Sequence, residues 1–293
     1  MTRFPNWLRR SVPQQSSRTT RSVLERYNLN TVCESALCPN RSECWSQKTA
    51  TFMILGERCT RRCGFCAIDT GRPEAVETDE PERVARAAEE LGLQYVVLTS
   101  VARDDMPDEG AGHFYQCILE LKRRIAGVEV EVLTPDFHAR EDLLRRVCEA
   151  GPAVYNHNLE TVSRLQSKVR PQARYDRSLA VLKWVGRNFP AIVRKSGLML
   201  GLGEREEEVL QAASDLREAG CQTLTLGQYL APSAEHLEVV EFIPPEVFDR
   251  LADTMKQMGF LEVFAGPYVR SSYHAAETHR AAGQGQPVQG VLR

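Results

Sequence analysis

Six apolar runs rich in β-branched residues alternate with amphipathic stretches along this chain of 293 residues, and that alternation limits the fold more than any other feature. The runs predict strands over 50–56, 94–101, 128–134, 153–158, 193–202 and 223–230. Between them, 79–91 (DEPERVARAAEEL), 113–125 (HFYQCILELKRRI), 140–150, 175–188 and 205–219 carry apolar residues at helical spacing. Repeated strand-then-helix order implies parallel strands joined by right-handed crossovers, so the expected class is α/β, a partial or closed barrel with helices outside. A helix over 245–258 opens on proline, as helix starts tolerate, and leads to a short apolar run at 261–264. This gives an N-terminal extension over 1–48, a (β/α)6 barrel over 49–264 and a C-terminal extension over 265–293, whose end, AAGQGQPVQGVLR, reads as a loose tail.

With 42% hydrophobic residues the chain can bury an ample core, yet no apolar run approaches the roughly 18 residues of a membrane span. A net charge of -2 gives no whole-protein attraction to nucleic acid or a membrane surface, so neither is an expected partner. Arg3, Arg9, Arg10, Arg18 and Arg21 precede the first acid, Glu25. They read as a basic arm or, alternatively, an organellar leader; the closeness of Trp7-Leu8-Arg9 to the first cysteines favours the arm. The start MTRFPNWLRR lacks the apolar core of an export signal, so the nine cysteines point to metal or catalysis in a reducing, cytoplasmic setting rather than to disulfides.

Six of those cysteines fall in one 34-residue window as two triplets, Cys33-x4-Cys38-x5-Cys44 and Cys59-x3-Cys63-x2-Cys66. Soft thiolates select iron-sulfur clusters, zinc or copper(I) over hard cations. A structural zinc and a fully protein-ligated cubane each want four ligands, so three leave an iron corner free for something else. The second triplet follows the first predicted strand, where barrel enzymes place their chemistry, and Gly64 is expected to relieve crowding against inorganic sulfide. Cys117, Cys148 and Cys221 lie on or beside apolar helix faces and read as packing.

The second triplet, with Phe65 before its last cysteine, resembles the cluster loop of the radical S-adenosylmethionine (SAM) superfamily, and Gly197-Leu-Met-Leu-Gly201-Leu-Gly-Glu204 resembles the glycine-rich strand of its adenine side, with Met199 in place of a β-branched residue. The first triplet narrows the resemblance to the lipoyl synthase family. So do Pro5-Asn6-Trp7-Leu8-Arg9, Arg103-Asp104-Asp105, Pro135-Asp136-Phe137, Tyr155-Asn-His-Asn-Leu-Glu160, Gly227-Gln-Tyr229 and Arg270-Ser-Ser-Tyr273. Ala102 and Arg194 depart from that family's pattern, where an acid and a small hydroxyl residue are common.

The resemblance implies a radical SAM barrel whose extensions cover its opening and which inserts sulfur at C6 and C8 of a protein-bound octanoyl-lysine. It implies two 4Fe-4S clusters, one on Cys59, Cys63 and Cys66 for SAM and an auxiliary one on Cys33, Cys38 and Cys44 that donates sulfide. The fourth auxiliary ligand would be Ser272, with Ser271 the alternative. Phe65, Ser100, Asn158, Glu160, Lys195 and Gly201 are then expected near SAM, while His157 is as readily structural. The implied partners are an octanoylated lipoyl-carrier domain or H protein, docked by Arg9, Arg10 and Arg18, a ferredoxin- or flavodoxin-type electron donor, and an iron-sulfur assembly carrier. Another radical SAM sulfur-inserting enzyme and a zinc-binding module without catalysis stand as alternatives.

Overall fold

A computed structural model describes residues 5–9, 18–46, 51–273 and 275–276. All six predicted strands are present, as β2 (Thr51–Ile54), β3 (Tyr95–Ser100), β4 (Glu129–Leu133), β5 (Val154–Asn156), β6 (Val193–Leu200) and β7 (Thr223–Gln228). The apolar run near 261 forms a seventh parallel strand, β8 (Glu262–Gly266), and a two-residue strand absent from the sequence expectations, β1 (Asn30–Thr31), pairs antiparallel with β2. The order is β1 to β8 without exchange; the sheet is open among the described residues.

The crossover helices match the amphipathic stretches closely: α4 (Glu80–Glu90), α5 (Ala111–Arg124), α6 (Glu141–Glu149), α8 (Tyr175–Asn188), α9 (Glu206–Glu218) and α10 (Pro245–Gln257). The short α7 (Gln166–Val169) interrupts the β5–α8 connection, and α1 (Arg18–Arg26), α2 (Val32–Ser35) and α3 (Arg41–Ser46) build the N-terminal extension. Val84, Ala85, Ala87 and Ala88 turn one stripe of α4 inward, and Phe114, Cys117, Ile118 and Leu121 do the same on α5. Cys117, Cys148 and Cys221 are buried as packing residues. Among the described residues no helix is long and apolar enough to cross a membrane.

Parallel strands covered on both faces read as continuous apolar runs, and β2 is buried at all four positions and β7 at all six. All strands of the parallel sheet end on the same side. The loop after β2, the ends of β5 to β7 and the segment after β8 therefore converge, and these carry the residues singled out above.

Candidate active site

The cysteine loop after β2 is anchored before any metal is considered. Cys59 donates its N–H to Asp69 O (2.9 Å) and accepts from Gly71 N (3.1 Å), while its Sγ accepts from Arg61 N (3.4 Å) and Ala102 N (3.3 Å). Gly64 also has a neighbour within the chain: a Cβ there would lie 2.9 Å from Leu237 Cγ, so the glycine admits the loop that follows β7. That approach is fixed by Gly64 N donating to Val169 O (2.9 Å) and Leu237 N donating to Gly64 O (3.0 Å).

Between the cysteines, Arg61 is nearly buried and binds Asp104 (2.7 Å) and Asp136 (2.8 Å), the latter also held by Arg177 (2.8 Å). Burial alone would raise the Asp136 carboxyl, but Arg61, His157 and Arg177 together hold it down at about 2. The resemblance singled out Arg103-Asp-Asp and Pro-Asp-Phe without a role; here they clamp the cysteine loop. Burial pushes the Cys66 thiol up to about 12 and Cys63 above its ordinary value, with the neighbouring thiols adding to the rise. Burial and the neighbouring thiols both oppose the thiolate form, so a cationic metal centre is what would stabilise these sulfurs together as thiolates.

The first triplet is built by the helices of the N-terminal extension. Thr31 caps α2 by accepting from Glu34 N (3.3 Å), which sets Cys33 on the first turn. Cys38 N donates to Cys33 O (3.1 Å), and Cys44 on α3 donates to Asn40 O (3.0 Å). Burial lifts Cys33 to about 11 and Cys44 to about 12. Two long-range bonds tie this unit to the C-terminal segment: Asn40 Nδ2 donates to Tyr268 O (2.7 Å) and Tyr273 OH to Glu43 Oε1 (2.8 Å). Gly227 permits the contact from below, since a Cβ there would sit 2.1 Å from Val269 O.

A cavity of about 390 Å³ lies between the two triplets. Cys33 and Cys38 line one side, Phe65 and Cys66 another, Asn158 and Glu160 the strand ends, and Arg270, Ser271 and Ser272 the C-terminal wall. Both candidate serines therefore face the space beside the first triplet. Asn158 donates to Glu160 Oε1 (3.1 Å), leaving its buried Oδ1 without a donor among the described residues. Burial raises the Glu160 carboxyl, only partly offset by Arg170. Gly197 keeps space next to Asn158, where a Cβ would come within 3.0 Å of Oδ1. Soft donors from both triplets on its walls and an unsatisfied amide oxygen between them fit two iron-sulfur clusters flanking a polar organic ligand. A second cavity of about 500 Å³, by His113 and Met106, carries no cysteine.

Other expected residues lie apart from the cavity lining. Lys195 is buried within the barrel and paired with Glu131 (2.9 Å). Gly201 shapes the end of β6, where a Cβ would meet Gln228 Nε2 at 2.2 Å. Ser100 ends β3 with a buried, unpartnered hydroxyl among the described residues. His157 is fully engaged, its nitrogens facing Thr134 O (2.9 Å) and Ser178 Oγ (3.0 Å). Arg9 is exposed, Arg10 lies outside the described residues, and so does the Arg18 side chain. Gln228, marked only as the middle of Gly227-Gln-Tyr229 and without a role, donates to Leu200, Tyr229 and Glu241 carbonyls and accepts from Ile243 N, locking the loop after β7 onto the strand ends.

The family model of the Radical SAM superfamily matches residues 53–216. Solved structures with this fold include Streptococcus suis SuiB bound to S-adenosylmethionine (TM-score 0.57, 14% identity, 77% of this chain and 53% of that one). Another is the FeFe-hydrogenase maturase HydG from Carboxydothermus hydrogenoformans (TM-score 0.58, 15% identity, 80% and 57%). The chain thus spans little more than half of each of those structures. Sequence relatives are far nearer and match over most of both chains. Lipoyl synthase of Rhodopirellula baltica is 54% identical over 278 residues, 94% of this chain and 88% of that protein. Lipoyl synthase of Caldanaerobacter subterraneus subsp. tengcongensis is 52% identical over 273 residues, 93% and 96%. Lipoyl synthase 2 of Thermosynechococcus vestitus is 50% identical over 282 residues, 94% and 97%. Cysteines of both triplets lining one cavity on a radical SAM fold, in a sequence about half identical to these relatives over more than nine-tenths of its length, place the chain in the lipoyl synthase family.

Proposed function

We propose that this protein inserts two sulfur atoms at C6 and C8 of an octanoyl group held in amide linkage to a lysine of a carrier domain. The observation that carries the reading is the single cavity bounded by Cys33 and Cys38 on one side, Cys66 on another and Ser272 on a third. Breaking an unactivated C–H bond lies beyond any side-chain base, so the chemistry belongs to cofactors and the chain's task is placement. When bound, SAM at the open iron beside Cys59, Cys63 and Cys66 supplies a 5′-deoxyadenosyl radical, and the cluster beside Cys33, Cys38 and Cys44 supplies sulfide.

Asn158 and Glu160 offer acceptors to the amino and ribose hydroxyl groups of SAM, and Phe65 packs an apolar wall beside them. Leu133, Leu198, Met199 and Val269 line the same cavity and keep water from a reactive carbon centre. Ser272, with Ser271 as the alternative, would hold the fourth corner of the first-triplet cluster. An oxygen there binds cluster iron less well than thiolate sulfur, which suits a cluster that is dismantled for its sulfur. The basic arm with Arg9, Arg10 and Arg18 docks the acidic carrier domain or H protein, and a ferredoxin- or flavodoxin-type donor and an iron-sulfur assembly carrier serve the two clusters.

The test is anaerobic turnover of an octanoyl-lysine peptide with SAM, followed by mass. Wild type gives a product with two added sulfurs. Cys33→Ala still cleaves SAM but adds none, and Cys59→Ala does neither; sulfur insertion by Cys33→Ala would refute the division of labour. About eight irons per chain are expected after reconstitution, and zinc in their place would favour the non-catalytic reading.

A further inference from the structure

Three buried cations close to the site end on carboxylates: Arg61 on Asp104 and Asp136, Arg103 on Asp105, and Lys195 on Glu131. Arg170 differs. It is 8% exposed, and its Nη1 donates to two main-chain carbonyls, Asn158 O (2.9 Å) and Leu159 O (3.3 Å). Among the described residues it forms no ion pair with a carboxylate. Carbonyl dipoles orient a guanidinium but leave its full charge uncompensated, and a buried charge of that kind is costly unless something of opposite sign is held nearby.

What lies nearby is the second cysteine triplet. Val169 O accepts from Gly64 N (2.9 Å) and Gln172 Oε1 from Arg62 N (3.2 Å), so the segment carrying Arg170 is stitched to the residues on both sides of Cys63. Glu160 forms no ion pair with Arg170 among the described residues; its carboxylate accepts instead from Asn158 Nδ2 (3.1 Å). The first triplet repeats the arrangement in outline: Arg270 donates to Pro267 O (3.5 Å) and Val269 O (2.7 Å), and it lines the same cavity as Cys38.

We infer that Arg170 is the built-in counter-charge of the iron-sulfur cluster on Cys59, Cys63 and Cys66 and raises its reduction potential. The inference rests on the radical SAM reading above. Each electron added to a thiolate-ligated cluster makes it more negative, so a fixed cation in a poorly solvated site stabilises the reduced form more than the oxidised one. Arg170 thereby eases the one-electron reduction on which SAM cleavage depends, without touching the reacting atoms.

The experiment is a redox titration of the anaerobically reconstituted full chain without SAM, monitored by electron paramagnetic resonance, for wild type, Arg170→Gln, Arg170→Lys and Arg270→Gln. Arg170→Gln should lower the reduced-to-oxidised ratio of one cluster about tenfold at a fixed potential, equivalent to about 59 mV for a one-electron couple. Arg170→Lys, which keeps the charge, should titrate close to wild type, and Arg270→Gln should shift only the other cluster. Full iron with an unchanged potential in Arg170→Gln overturns the inference. So does a raised KM for SAM at unchanged potential, which would make Arg170 a ligand contact instead. If Arg170→Gln takes up no iron, Arg170→Lys decides: full iron at the wild-type potential supports the charge, and loss of iron there too refutes it. Iron and sulfide content of the wild type tests the cluster reading separately from the potential.

Discussion

At the end of β5, His157 is buried between Thr134 and Ser178, and burial depresses its pKa to about 4, with Arg170 acting in the same direction. An unfolded histidine titrates near 6.5. Between those values the unfolded chain binds the extra proton and the folded one does not, so this residue's contribution is complete above pH 6.5 and is lost as pH falls towards 4. The gap corresponds to a loss of about 2 kcal/mol on going from pH 7 to pH 5. Denaturant unfolding at those two pH values is expected to give a drop in stability that is smaller by roughly that amount in His157→Gln; equal drops in both proteins would mean that the imidazole titrates normally. The sequence left His157 poised between ligand and structure, because a histidine at a strand end looks the same in both roles. Asn158 and Glu160, with the same placement, do face the cavity, and what separates them from His157 is strand alternation combined with tertiary partners such as Ser178 that no local pattern announces. Arg61 and Arg170 were missed for the same reason: an arginine in a polar loop carries no sign that acids or cysteines distant in sequence will surround it.

The strands and crossover helices were legible almost to the residue, since each has either a continuous apolar run or an amphipathic stripe long enough to be read, such as the inward face of α4. β1, α2 and α3 were not. Two to six residues are too few for a period to register, and here capping by Thr31 and docking against the C-terminal segment define them rather than propensity. That docking gives an element-scale prediction. Gly227, one residue before the end of strand β7, lies beneath Val269 O, and any side chain there must push the segment holding Arg270, Ser271 and Ser272 away from the first triplet. Gly227→Ala is therefore expected to retain the second-triplet cluster and lose the first, leaving about four irons of about eight after reconstitution. The displaced segment should also become more sensitive to limited proteolysis. Full iron content and unchanged cleavage would mean that the segment adjusts without leaving its place.

Across the whole molecule, apolar packing divides into two clusters. One joins α4, α5 and α6 to β2 through β5, and the other joins α9 and α10 to β6 through β8. Where the halves meet, the barrel interior is polar: Glu131 of β4 accepts from Lys195 of β6 (2.9 and 3.2 Å), Tyr95 OH of β3 (2.7 Å) and Asn156 Nδ2 of β5 (3.1 Å). Four adjacent strands thus share one buried carboxylate, which ties the halves together by directional bonds where the two apolar cores are separate. Removing the cation alone strands that charge in a fully buried site. Lys195→Met is expected to cost about 3–5 kcal/mol in denaturant unfolding. Adding Glu131→Gln, which keeps acceptors for Tyr95 and Asn156 while discharging the site, should recover most of the loss. Because Lys195 does not line the cavity between the cysteine triplets, the KM for SAM of Lys195→Met should stay within about twofold of wild type, well under the 1.4 kcal/mol of a tenfold change in binding. A tenfold rise in KM with little loss of stability would instead restore the direct contact with SAM that its position on a strand first suggested, and would place the polar layer within the catalytic apparatus rather than beneath it.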